Sequence, residues 1–128
     1  MQAITQQWVN KAEGDWVSMN REGQAQNEPN HNLVCYLAEQ CAEKYLKAQI
    51  QEANVAFPKT HNLPALLALV LPAHPTWSTV RVALTRLDDY GVEFRYPGKD
   101  ATKADAEEAQ RLCRMVREVA RRGLGLPL

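Results

Sequence analysis

Residues 32–53 read NLVCYLAEQCAEKYLKAQIQEA, and the spacing of their apolar positions decides the fold. Val34, Leu37, Cys41, Tyr45 and Ala48 recur at steps of three and four, with Leu33, Tyr36 and Leu46 beside them, which is the period of a helix. So broad an apolar stripe predicts a central helix. Upstream, Trp8, Val9, Ala12, Trp16 and Met19 form a narrower stripe on a helix of about five turns. Downstream, Thr60 is placed to cap a short helix carrying Leu63, Leu66, Leu67 and Val70, which Pro72 and Pro75 end. A fourth helix is expected from Thr76, with Trp77, Val80, Leu84, Leu87, Gly91 and Phe94 as a seam and Pro97 as its stop.

The last segment starts near Thr102 and carries Ala106, Ala109, Leu112, Cys113, Val116 and Ala120 on its core side. Its acids, Asp105, Glu107 and Glu108, come early and Arg114, Arg117, Arg121 and Arg122 come late, which suits the helix dipole, with Gly123 as the expected C-cap. No segment alternates with period two. The expected fold is therefore all-α, an up-and-down helical bundle of about four long helices plus one short helix, with residues 1–128 forming one domain.

Apolar residues make up 45% of the chain, enough for a core of its own. No stretch approaches the roughly 18 apolar residues of a membrane span, and Met1 to Lys11 has no apolar signal segment, so a cytoplasmic protein is expected. Fifteen basic and fifteen acidic side chains cancel, which removes the global positive field of proteins held on nucleic acid by charge alone and makes nucleic acid an unexpected partner. Cys35, Cys41 and Cys113 have no CxxC spacing and lie in apolar helical patterns, as buried reduced thiols do. His31 and Cys35 make two ligands and not a zinc site, and Asp88 and Asp89, being adjacent, diverge around a helix, so no metal site is expected.

On this helical frame, the run Glu39-Gln40-Cys41-Ala42-Glu43-Lys44-Tyr45-Leu46-Lys47-Ala48 is similar to the Q-x-x-E-K-x-x-K-A phrase of the HEPN family. Phe57-Pro58-Lys59-Thr60-His61-Asn62-Leu63 resembles its F-x-K-T-H-x-L phrase, and Arg95-Tyr96-Pro97 its R-Y-P. Trp8, Ala12 and Asp15 echo an opening W-x-x-x-A-x-x-D, so the resemblance covers nearly the whole chain. It implies an up-and-down bundle commonly assembled as a homodimer. Many members are encoded beside a minimal nucleotidyltransferase, in pairs that resemble toxin–antitoxin modules or two-piece nucleotidyltransferases, while others are metal-independent ribonucleases. One bundle thus hosts very different functions, and the site must decide among them.

In the ribonuclease members an R-x(4-6)-H motif supplies phosphate stabilisation and proton handling. Here Arg21 is the only arginine upstream of any histidine, nine residues separate it from His31, and neither His61 nor His74 has an arginine at the required distance. The motif is absent, so no catalytic residue and no cofactor are expected. His61 is open to two readings: an imidazole near a helix N-terminus that binds phosphate or takes a proton, or a residue that orients the third helix. Glu43 and Lys47 make an ordinary i,i+4 pair, and Arg95 can bond the last carbonyls of its own helix. A shared polar cluster would also explain why these phrases occur together. Lys44, Lys47, His61 and Arg95 are accordingly expected to approach one another as nucleotide- or phosphate-binding candidates, supported by Gln40, Glu43, Thr60 and Tyr96. The favoured function is a non-catalytic partner of a minimal nucleotidyltransferase that docks the enzyme or helps hold its nucleotide. The alternatives are a ribonuclease or toxin with a departed motif, and a structural dimer with no small ligand.

Overall fold

Asn30 starts the central helix: its side chain accepts from the Leu33 amide at 3.0 Å, satisfying a donor that the first turn leaves free. In the computed structural model, which describes residues 1–128, this helix is α2 (His31–Glu52). It packs against α1 (Ala3–Gly23), α3 (Leu63–Val70), α4 (Arg81–Glu93) and α5 (Lys103–Gly123), and the chain contains no strand. Val34, Cys41, Tyr45, Leu46, Ala48 and Ile50 of α2 are fully buried within one core of 29 residues. The fold is an all-α helical bundle. No helix is long and apolar enough to cross a membrane.

Hydrogen bonds fix the directions of the helices. Gln2, before α1, bonds to Glu52 at the end of α2, so these two run antiparallel. Gly91 near the end of α4 lies against Glu39, and Trp77 before α4 bonds to Gln49, so α4 also opposes α2. Asn32 bonds to Asp100 and Ala101, and Tyr45 to Arg121, so α5 runs with α2. The four long helices thus alternate up and down, with α3 inserted between the second and third.

Three expected boundaries move. The short third helix is capped by Asn62, which accepts from Ala65 N at 2.8 Å, and not by Thr60, whose hydroxyl accepts from Asn62 N in the preceding turn. Pro64 explains the shift: it is tolerated in a first turn, but a helix capped at Thr60 would place it where an amide donor is needed. The fourth helix opens with a 3₁₀ turn, Pro75–Val80, before α4 proper. Thr76, Thr79 and Val80 are β-branched, and Thr79 bonds back to Thr76 O, both of which weaken a regular first turn. At its other end α4 stops at Glu93, because Pro97 cannot donate to the Glu93 carbonyl and its ring would collide with it. Arg95 and Tyr96 therefore sit in a turn.

The last helix begins as expected, with a capping box in which Thr102 and Asp105 bond each other's amides. Its end differs. Leu124 is the C-cap and Gly125, at φ +71°, takes the left-handed position expected of Gly123. Gly123 is the last helical residue, and a Cβ there would lie 2.3 Å from Gln49 Oε1. Its missing side chain makes room for a buried amide.

Candidate functional site

A polar column runs along α2 at the face where α3 and α4 meet it. Helical spacing places Glu39, Glu43 and Lys47 one turn apart on the same face, and the packing of α2 buries all three. Charges taken out of water need partners. Glu43 has two: its Oε2 accepts from Lys47 Nζ and its Oε1 from His61 Nδ1, each at 3.0 Å. Lys47 also lies 5.5 Å from the Trp8 ring centroid, a cation–π contact from α1. Because a carboxylate only accepts, His61 donates from Nδ1, and in the neutral ring Nε2 is left as a free acceptor on a side chain that is 75% exposed.

Glu39 is bound less completely. Its Oε2 accepts from Gln40 Nε2 at 2.8 Å, and Gly91 of α4 lies so close that a Cβ would stand 2.9 Å from Glu39 Cγ. Burial pushes the carboxyl up to about 7; the charges of Glu43 and Asp88 add to this, while the Gln40 hydrogen bond and the Arg95 charge oppose it. With His61, Asn62, Asp88, Val92 and Arg95, these two residues line a cleft of about 240 Å³ between α2, the start of α3 and the end of α4.

The four expected phosphate-binding residues therefore divide. His61 and Arg95 share the cleft, and both are exposed. Lys47 joins them only through Glu43. Lys44 is turned to α1, where Asp15 holds its ammonium at 2.5 Å. Of the supporting residues, Gln40 and Glu43 serve the column, Thr60 shapes the turn before α3, and Tyr96 stands 72% exposed in the turn after α4. Sequence reasoning missed Glu39, Asp88 and Gly91. A signal for Glu39 was present, since an acid four residues from Glu43 on a central helix must share its buried face. Asp88 and Gly91 carried none, because the first is aimed by accepting from Leu63 N and the second by packing on Glu39.

No group of three or more His, Cys, Asp or Glu side chains is placed to hold a metal ion. Cys35, Cys41 and Cys113 are buried free thiols, and burial pushes Cys35 up to about 12.

Comparison with known proteins bears on this frame. The fold is similar to that in the crystal structure of TT1696 from Thermus thermophilus, with a TM-score of 0.81 over 95% of this chain and 99% of that one. At 20% sequence identity the likeness concerns the fold alone. None of the curated proteins compared with the chain matches it. The family model for the HEPN domain matches residues 5–123, from the first turn of α1 to the end of α5. A match of that extent shows that the chain belongs to the HEPN domain family.

Proposed function

We propose that this chain is a cytoplasmic, non-catalytic HEPN protein that acts as the homodimeric partner of a minimal nucleotidyltransferase, meeting the enzyme and its nucleotide at the α2–α4 cleft. One observation carries the reading: His61 and Arg95, from two separate family phrases, line one cleft and are both exposed. The Arg95 guanidinium is suited to phosphate oxygens, and His61 would donate to one from Nε2 in its protonated form, since Nδ1 is held by Glu43. Lys44 and Lys47 contribute less, since Asp15 and Glu43 already neutralise them. The missing R-x(4-6)-H motif speaks for a binding role, and exposed Val82, Val92 and Tyr96 offer apolar surface for a second subunit.

A thermal-shift titration with ATP, GTP, AMP and a short RNA tests the ligand. Stabilisation should rise with nucleotide and be lost in both His61→Ala and Arg95→Ala. Co-purification with a co-expressed minimal nucleotidyltransferase tests the partner. Sedimentation at micromolar concentration should give a dimer; a monomer would count against the assembly.

A ribonuclease reading has one observation in its favour. The cleft joins an arginine and a histidine that the sequence keeps far apart, and Glu43 holds the ring in the tautomer a general base requires. Metal-independent cleavage of RNA that disappears in His61→Ala would replace the binding role with this one.

A further inference from the structure

The floor of the α2–α4 cleft differs in sign from its rim. Glu39, only 3% exposed, uses Oε2 to accept from Gln40, and no donor in the chain reaches its Oε1. Thr5 Oγ1 is the one fully enclosed side-chain polar atom without a partner, so the free oxygen of Glu39 opens into the cleft it lines. Asp88, from α4, spends Oδ1 on the Leu63 amide at 3.0 Å and has no donor on its other oxygen. Glu43 is no help to either, since a carboxylate bonded to His61 and Lys47 accepts and has no proton to donate.

A carboxyl group withdrawn from water to this extent loses hydration that one bond from Gln40 does not replace, and the cost falls when a further donor arrives through the cleft. The chain's own candidate does not supply one. Arg95 stands exposed at the rim and enters none of the ion pairs within 4.0 Å. Gly91 keeps the floor open toward Glu39, where any side chain would displace it. A phosphate pushed onto this floor would face the Asp88 carboxylate and, above about pH 7, that of Glu39 as well, whereas a cation would donate to the free oxygen of each.

We propose that the cleft floored by Glu39 and Asp88 is a socket for one cationic side chain, an arginine guanidinium or a lysine ammonium, carried by a protein partner. The inference rests on the partner reading above only in taking the carrier to be a protein. Phosphate contacts at His61 and Arg95 belong to the rim and are compatible with an occupied floor.

The test is an NMR titration of the ¹⁵N-labelled full chain with N-acetyl-arginine amide and with N-acetyl-lysine amide, followed at the amides of Glu39, Gly91 and Val92. Sodium phosphate serves as the anionic probe. Saturable shifts are expected with at least one cationic probe, weakened about tenfold or more in Glu39→Gln, the loss expected for one charge-assisted hydrogen bond. Arg95→Ala should bind the cation as well as the parent chain or better, since it removes a like charge from the rim. Asp88→Asn, read in the same way, stands in should Glu39→Gln fail to fold. No saturation with either cation, shifts that persist in Glu39→Gln, or binding that appears only in Arg95→Ala would each overturn the socket; the last would make Arg95 its occupant. Phosphate shifts lost in Arg95→Ala report on the rim alone, and an intact socket in a chain that binds no nucleotidyltransferase sinks only the partner reading.

Discussion

Glu43 bridges a buried lysine and an exposed histidine, with one donor on each of its two oxygens. Its replacement should therefore act on stability before it acts on binding. In Glu43→Gln the Lys47 ammonium, 8% exposed, would keep its charge without a counter-charge, which costs about 3 kcal/mol or more. Urea unfolding should show this as a lower midpoint at unchanged slope. Glu39 behaves in the opposite sense. Folding raises its carboxyl from the ordinary carboxylate value to about 7, so the folded chain holds a proton that the unfolded chain releases. Stability from this group is full below the ordinary value, falls as pH rises toward 7, and carries a penalty on the order of 3 kcal/mol above that. Glu39→Gln has no charge to bury. Its melting temperature should fall less than that of the parent chain between pH 5 and 7.5, and equal slopes would show that Glu39 is already neutralised.

At the scale of elements, two glycines inside helices separate backbone propensity from packing. Gly14 in α1 has nothing within 4 Å of the position a Cβ would take, so Gly14→Ala should stabilise the chain by about 0.5–1 kcal/mol through helix propensity. Gly123 closes α5 against Gln49, whose Oε1 accepts from Trp77 Nε1 at 3.2 Å and whose Nε2 lies 3.1 Å from His74 Nε2. Trp77 only donates, which fixes the orientation of the amide and makes His74 Nε2 its acceptor. Gln49 is fully buried and cannot swing aside without leaving the indole unpaired. Gly123→Ala should thus destabilise by about 1–3 kcal/mol despite the better helix former. Thermal melts of the two variants should move in opposite directions.

At the scale of the whole molecule, Glu13 ties three helices together. Its carboxylate takes Arg117 Nη2 at 2.7 Å and Nε at 2.8 Å from α5, and Tyr45 Oη at 2.6 Å from α2, with Arg121 at 3.5 Å. Burial opposes its ionisation, but the hydrogen bonds from Arg117 and Tyr45 and the charges of Arg117 and Arg121 outweigh it and hold the carboxyl below the ordinary range. Stability from Glu13 is accordingly present above the ordinary carboxylate value and lost as pH falls below it. Glu13→Gln should be less stable than the parent chain at pH 7 and lose less on acidification to pH 3, as read by urea midpoints at the two pH values.

The sequence by itself determined the all-α class, the central place of residues 32–53, the core faces of α1, α2 and α5, and the start of α5 near Thr102. These follow from period and from local capping chemistry, which act within a few residues along the chain. Within the candidate site it disclosed His61 and Arg95, because they stand in phrases that can be read in order. It misplaced the starts of α3 and α4 and the end of α5, where Pro64, the Thr76–Val80 run and Gly125 set backbone geometry more strongly than the apolar pattern does. Only the tertiary structure decided that Lys44 turns to Asp15, that Lys47 reaches His61 through Glu43, and that Glu39 faces Asp88 across a cleft. The physical reason is distance along the chain. Each of these pairings, except the i,i+4 bond between Glu43 and Lys47, joins residues on different helices or on a helix and a loop, and a charge's partner is chosen by packing.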